Sequence, residues 1–313
     1  MDICAAVKQK FCELGFDLVG ITDGSQIQAS DAENLRKWID NGLFGSMEYM
    51  ARNLDKRIDP TKLFENAASV ICAGLIYKPV ETQEPEKPNL CRVSDYAGYN
   101  DYHDYMRDKL RLLADFLHQI ALPEKIRTKV CVDTAPVAER ALAVRAGLGF
   151  VGKNHMLINP QAGVEIFLGS IITDLKLETD CAVERGCGDC SKCIDACPTG
   201  ALNKNGTFNA NKCISYLTIE HKSEIPEHLA AKIGNSIYGC DRCVHVCPYH
   251  IKGQAAKDNG LTPRPENKWL DPQEILKWDN ETFEKRFAST PIHRIGLDRL
   301  KRNAKVCLEN LNR

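Results

Sequence analysis

The stretch Cys187-Gly-Asp-Cys190-Ser-Lys-Cys193-Ile-Asp-Ala-Cys197-Pro198 decides how the C-terminal half of this chain must fold. Its C-x2-C-x2-C-x3-C-P spacing suits a four-iron cluster: tight turns bring three thiolates onto one cubane, and the fourth cysteine points to a second cluster. A second run, Cys240-x2-Cys243-x3-Cys247-Pro248, lacks the opening cysteine, and Cys213, alone between the runs, is the substitute. Eight cysteines then divide by crossing. Cys187, Cys190, Cys193 and Cys247 take one [4Fe-4S] cluster; Cys197, Cys213, Cys240 and Cys243 take the other. The competing reading is a structural zinc on Cys240, Cys243, His245 and His250. The two Cys-Pro endings and the complete first run weigh against it.

Outward from these motifs, composition sets the compartment. The chain has 15 cysteines in 313 residues, an odd number, bunched between 181 and 247. The N-terminus, Met-Asp-Ile-Cys-Ala-Ala-Val-Lys, has no secretory pattern of basic, apolar and small-residue regions, so a reducing cytoplasm is expected. The most apolar stretch, Val164 to Ile172, is too short to span a bilayer and contains Glu165. Cys4, Cys12, Cys72, Cys91, Cys131 and Cys307 read as small core or surface residues, and Cys181 as a spare thiol. The 41 Lys+Arg against 42 Asp+Glu leave a net charge of −1, which excludes a globally basic nucleic-acid coat and a charged tail. Any basic surface must be local.

The expected fold class is α+β in three parts: a mixed α/β domain over 1–175, a ferredoxin-like double-cluster domain over 176–250, and a helical segment over 251–313. Helical spacing covers 3–14, 31–41, 102–121 and 135–146, the last capped by Gly147; strands are expected near 17–22, 69–77, 129–133 and 164–172. The proline- and glutamate-rich 79–88 reads as a surface loop. Residues 181–250 have few apolar runs, so bound metal must supply much of their stability. Gly147-Leu-Gly149-Phe-Val-Gly152 spells a dinucleotide fingerprint, but it follows a helix instead of a strand and opens none, so nicotinamide binding is rejected. Its glycines are expected to admit the close approach of something bulky. A ferredoxin needs only part of this length, so the remaining α/β domain should hold acceptor chemistry.

Val132-Asp133-Thr134-Ala135-Pro136-Val137-Ala138-Glu139-Arg140, continuing to Gly147-Leu-Gly149-Phe-Val-Gly152-Lys153-Asn154, joins the cluster motifs and Tyr216-Leu-Thr-Ile-Glu220-His221-Lys222 in a specific pattern. Together they resemble the epoxyqueuosine reductase family from about residue 10 to the end, including Pro291-Ile-His-Arg and Leu300-Lys-Arg-Asn-Ala. That family consists of cobalamin-dependent iron–sulfur enzymes related to reductive dehalogenases. They remove the epoxide oxygen from the modified wobble guanosine of a tRNA.

The resemblance implies a nitroreductase-like sheet with flanking helices, two clusters that reduce cobalamin to cob(I)alamin, and Asp133 as the proton donor. Asp133 ends a buried strand, where desolvation would raise its pKa and favour the acid form; the bland alternative is a cap for the following helix. The resemblance further implies corrinoid contacts at Arg57, Tyr96, Ala97, Asp133, Asn154, Met156, Leu157, Leu168, Ser170 and Ser215. Without an Asp-x-His-x-x-Gly stretch, cobalamin should bind base-off with no protein histidine on cobalt. Ala97 offers no thiol to it. His103 and His155 are candidates for polar contacts, though a lone histidine is usually structural. Of the cluster Arg36, Arg52, Lys56 and Arg57, all but Arg57 read as a solvated helix face.

The implied partners are a tRNA anticodon stem-loop, held through His221, Lys222, Arg294, Lys301 and Arg302, and an external low-potential electron donor. Many members of the family continue into a HEAT-like extension; this sequence stops at Arg313, so the core is expected to carry the tRNA. A monomer that touches no membrane is expected. Two other functions fit the same residues. One is a corrinoid-dependent reductase or dehalogenase-like enzyme acting on a small molecule; the other is an electron-transfer protein with no catalysis of its own.

Overall fold

The computed structural model describes residues 2–78, 89–257 and 259–312; the loop expected over 79–88 lies outside them. Its centre is a four-stranded sheet in the order β1-β2-β7-β4, antiparallel throughout, from β1 (Leu18–Asp23), β2 (Ser69–Ile76), β4 (Thr128–Cys131) and β7 (Ile166–Thr173). Every residue of β2 is buried, because helices cover both faces. On one face, Val7 and Phe11 of the helix Ile3–Glu13 and Met106, Leu110, Leu113 and Leu117 of the helix Tyr102–Ile120 meet Ile71, Phe167 and Ile171. On the other, Leu142 and Ala143 of the helix Glu139–Arg145 and Ala32 of the helix Ala29–Asp40 meet Val70, Cys72, Cys131 and Ile172. Alternation along each strand thus feeds two cores.

The helix expected over 135–146 begins only at Glu139. Pro136 biases Ala135 away from helical geometry. Residues 133–138 instead form tight turns, with Thr134 N donating to Val132 O (2.6 Å), Val137 N to Ala135 O (2.8 Å) and Ala138 N to Arg57 O (3.1 Å). The helix does end as read, with Gly147 at φ +81° after Ala146. The fingerprint-like glycines serve the protein's own backbone. A side chain at Gly149 would strike the carbonyl of Ile158 in the hairpin β5 (Phe150–Val151) and β6 (Leu157–Ile158), and one at Gly147 would meet Cys181 O at 2.5 Å. What approaches closely is the chain itself.

A second, three-stranded sheet has the order β8-β3-β9, with β3 (Cys91–Val93) central, β8 (Ser236–Tyr238) parallel to it and β9 (Trp269–Leu270) antiparallel. One core joins Cys91, Val93 and Ala97 to Ile214, Leu217, Ile237 and Tyr238 and to Phe283, Phe287, Leu300, Ala304 and Cys307. The sequence-level divisions near 175 and 250 are therefore changes of composition, and packing crosses both. Among the described residues no helix is long and apolar enough to cross a membrane.

Candidate active site and cluster centre

The helix Tyr102–Ile120 opens with Asp101, whose carboxylate caps His103 N at 3.0 Å and also meets His103 Nδ1 at 2.5 Å. The other ring nitrogen, Nε2, lies 3.0 Å from Asp133 Oδ2, so the imidazole is clamped between two carboxylates. Asp133 sits two residues past β4 at φ +51°, in left-handed geometry, with its N–H donating to Glu139 Oε1 at 2.9 Å. It does not cap a helix. Its side chain is 50% exposed, and Arg294 NH1 stands 3.9 Å from Oδ2. The left-handed backbone leaves the carboxylate half-exposed between His103 and Arg294.

Ionisation differs from expectation. Burial pushes the Asp133 carboxyl up, but the His103 hydrogen bond and charge, with Arg294, outweigh it and the net shift is down. Burial pulls the His103 imidazole down, and the bonds to Asp101 and Asp133 reverse that into a net rise. The two shifts favour an imidazolium beside a carboxylate, with the proton on His103. Glu139, missed at sequence level although it lies in the quoted motif, is driven up to about 7 by burial. Asp101 was missed too; its signal was its place one residue before a long helix. Tyr49 shares the cleft, its hydroxyl pushed up to about 12 by burial and by the charges of Glu220 and Asp133.

The corrinoid candidates other than Asp133 separate into four sets. Arg57 Nε, Asn154 Nδ2 and Ser170 Oγ are buried with no hydrogen-bond partner. Such groups cost about 1–3 kcal/mol each until something pairs with them, so these three fit a polar ligand. Tyr96 donates to Tyr238 Oη at 3.0 Å and packs edge-on against Tyr102, which leans on His103. Met156, Leu168 and Ser215 remain partly accessible. Ala97 (0% exposed) and Leu157 (3%) are sealed inside cores and drop out as side-chain contacts. His155 stands at φ +59°, its carbonyl taken by Arg140 NH1.

The motif cysteines fall into two neighbourhoods. Cys187, Cys190, Cys193 and Cys247 line one cavity of about 330 Å³. Burial raises the Cys193 thiol, helped by the charges of Cys187 and Cys247. In the other set, burial raises Cys213, with Cys197 adding to it. Cys240 goes up to about 11 by burial, with Cys213 contributing, and Cys243 rises further through burial and then Cys240 and Cys213. Cysteine thiolates grouped in this way fit iron. Of the histidines in the zinc alternative, His245 Nε2 is 2.8 Å from Asp95 Oδ2, and His250 Nδ1 is 2.9 Å from Glu165 Oε2. Asp241, between Cys240 and Cys243, accepts from Ser94 Oγ (2.5 Å) and Asp95 N (2.8 Å), tying the cluster loop to the Tyr96–Ala97 turn. Arg92 and Lys268 supply the balancing charge.

The basic residues diverge. Arg294 reaches the acid cleft, Lys222 is exposed, and Lys301 is partly exposed. His221 Nε2 lies 3.0 Å from Glu224 O. Arg302 is a correction. It is 8% exposed and donates to the carbonyls of Leu217 (2.7 Å), His221 (2.6 Å) and Ser223 (2.6 Å). A guanidinium spent on the chain's own carbonyls is withdrawn from phosphate. Arg302→Ala is expected to cost about 3 kcal/mol or more in urea unfolding, by stranding buried carbonyls. Lys301→Ala should stay within about 0.5 kcal/mol. Equal stabilities would return Arg302 to the surface set.

Comparison with known proteins bears on this geometry. The family model described as epoxyqueuosine reductase QueG matches residues 57–134, and that described as a 4Fe-4S double cluster binding domain matches residues 186–250. The epoxyqueuosine reductase of Escherichia coli (strain K12) is 38% identical over 307 residues, covering 97% of this chain and 80% of that protein. The chain belongs to the epoxyqueuosine reductase family. Two solved structures of the family superpose with TM-scores of 0.90, each covering 99% of this chain. One, 33% identical with 81% of its chain covered, is of epoxyqueuosine reductase with a tRNA-Tyr epoxyqueuosine-modified tRNA stem loop. The other, from Bacillus subtilis, is 32% identical with 82% of its chain covered; its catalytic aspartate loop is swung out of the active site.

Proposed function

We propose that this chain reduces epoxyqueuosine to queuosine at the wobble position of a tRNA anticodon stem-loop, using cobalamin and two [4Fe-4S] clusters. The observation that carries the reading is the relay Asp101–His103–Asp133, ending in a half-exposed carboxylate beside Arg294. Loss of an epoxide oxygen as water consumes two electrons and two protons. Cobalamin, when bound and reduced, would supply a strongly reducing, nucleophilic centre. Arg57, Asn154 and Ser170, with their unpaired buried atoms, would hold it.

The chain's own residues manage the proton. His103 Nε2 passes its proton to Asp133 Oδ2, and Asp133 delivers it to the departing oxygen. Asp101 keeps the imidazole oriented and compensates its charge throughout. Arg294, 3.9 Å from both Asp101 Oδ2 and Asp133 Oδ2, steadies the carboxylates and can reach a stem-loop phosphate. Lys222 and Lys301 would contribute further phosphate contacts. The target base must leave its stack to reach the cleft, where the exposed ring of Tyr49 offers a face for it. The setting is a reducing cytoplasm, the protein acts as a monomer, and an external low-potential donor feeds the clusters.

The test uses anaerobically reconstituted protein loaded with cob(II)alamin, a chemical reductant and an epoxyqueuosine-bearing stem-loop. Corrinoid uptake should change the visible spectrum, and the nucleoside should lose one oxygen by mass. Uptake with substrate returned unchanged would transfer the chemistry to another corrinoid-dependent reduction. No uptake would leave an electron carrier.

A further inference from the structure

The cavity of the first cysteine set opens between three segments: the turn at 152–158, the loop at 186–193 and the short helix Pro248–Lys252. Its charged lining residues are Lys153, Lys192 and Lys252, with no acidic side chain among them. All three lysines are exposed. Lys153 is built into the loop: its N–H donates to Cys187 Sγ at 3.4 Å, and its ammonium donates to Gly188 O at 2.8 Å and Cys190 O at 3.0 Å. Lys192 and Lys252 form no ion pair among the described residues. Tyr249 lines the same mouth; beside it Ile251 is 65% exposed, and Val151, near Lys153, is 46% exposed. Glu184 and Asp189 lie on the same loop outside the lining, with Arg185 next to the former.

The second set is placed differently. Cys213 and Cys240 pack against the large C-terminal core, and Cys213 directly precedes the helix that carries Ser215. The first cysteine set therefore faces a cation-rimmed opening that Asn154 also lines, while the second sits beside Ser215.

We propose that the Lys153–Lys192–Lys252 face is the electron-entry port and docks a small, acidic one-electron carrier of the [2Fe-2S] ferredoxin class. It deepens the functional reading by locating the external donor, and rests on that reading only for the presence of the clusters. One electron leaves the reduced [2Fe-2S] centre, which becomes oxidised, and enters the oxidised cluster on Cys187, Cys190, Cys193 and Cys247. No bond changes and no proton moves. Two such encounters supply the two electrons of one deoxygenation. A few exposed apolar side chains inside a cationic rim suit a transient encounter with an acidic partner, where charge sets the on-rate and the small area allows quick release.

The experiment is stopped-flow reduction of the cluster-loaded protein, read as cluster bleaching and by electron paramagnetic resonance, without corrinoid or tRNA. A reduced acidic [2Fe-2S] ferredoxin is one donor, and photoreduced deazaflavin the other. The Lys192→Glu/Lys252→Glu variant should react with ferredoxin about 10-fold more slowly at low salt, with a flattened salt dependence. Its iron content and deazaflavin rate should match the parent. Lys305→Glu, on the exposed side of the C-terminal helix, should leave the ferredoxin rate unchanged. An unchanged rate in the double variant overturns the port, as does an equal fall with Lys305→Glu or with deazaflavin. Loss of stem-loop binding alone would overturn it in favour of RNA. If the ferredoxin rate falls as expected while epoxyqueuosine is not turned over, the port stands and the substrate assignment falls.

Discussion

Asp133→Asn is expected to lower single-turnover deoxygenation by about 10²–10⁴-fold, the range for removing a positioned general acid, while corrinoid uptake and iron content stay at parent levels. The amide preserves shape and can still face His103, but it cannot pass a proton to the leaving oxygen. The pH profile follows from the ionisation of the relay. His103 is raised above its ordinary value by its two carboxylate partners, although burial opposes them. The proton on Nε2 is therefore fully present below the ordinary histidine pKa and is lost as pH rises through the raised one. Activity should fall on that alkaline limb. The depressed Asp133 carboxyl keeps its negative charge until the solution is well acidic. Asp101→Asn removes one of the two carboxylates that raise His103, so the alkaline limb should move to lower pH. An unshifted limb in Asp101→Asn, or substantial turnover by Asp133→Asn, would remove the relay from the reaction.

The second large effect concerns iron. Cys243→Ser should reduce iron from about eight to about four atoms per chain, because each cubane needs all its thiolates. Crossing makes a sharper statement. Cys197→Ser, at the end of the first motif, should leave the same surviving cluster as Cys243→Ser. Cys247→Ser should leave the other one. Without crossing, Cys243 and Cys247 would share a cluster and their variants would have identical spectra. The cavity lined by Cys187, Cys190, Cys193 and Cys247 predicts that those spectra differ.

What could be read from the sequence was local. The cysteine spacing anticipated the double-cluster domain, since each motif is a short loop whose geometry its own residues dictate. The buried run at Ser69–Ile76 and the helical periodicity of Tyr102–Ile120 were legible for the same reason. Asp133 was found through its motif, but its ionisation was misjudged. Burial alone would raise it; the imidazole and guanidinium that lower it come from distant positions. Arg302 looked like its neighbours Arg299 and Lys301 in a basic run, and only helix phase shows that it turns inward. Pro136 held the signal for the late helix start, in its effect on the residue before it. The Asp241 carboxylate that joins the cluster loop to the Tyr96 turn had no sequence signal, because its partners depend on β3 meeting β8.

That pairing has a temporal side. β3 is the middle strand of its sheet, and both neighbours are encoded far downstream. A ribosome delivering about 5–20 residues per second presents Cys91–Val93 long before Ser236–Tyr238 or Trp269–Leu270 exists to flank it. The Tyr96–Ala97 turn, which follows β3 and is tied to Asp241, has these partners only once the segment through Leu270 has emerged. The sheet beside the Tyr96–Ala97 turn is thus completed only by the last third of the polypeptide.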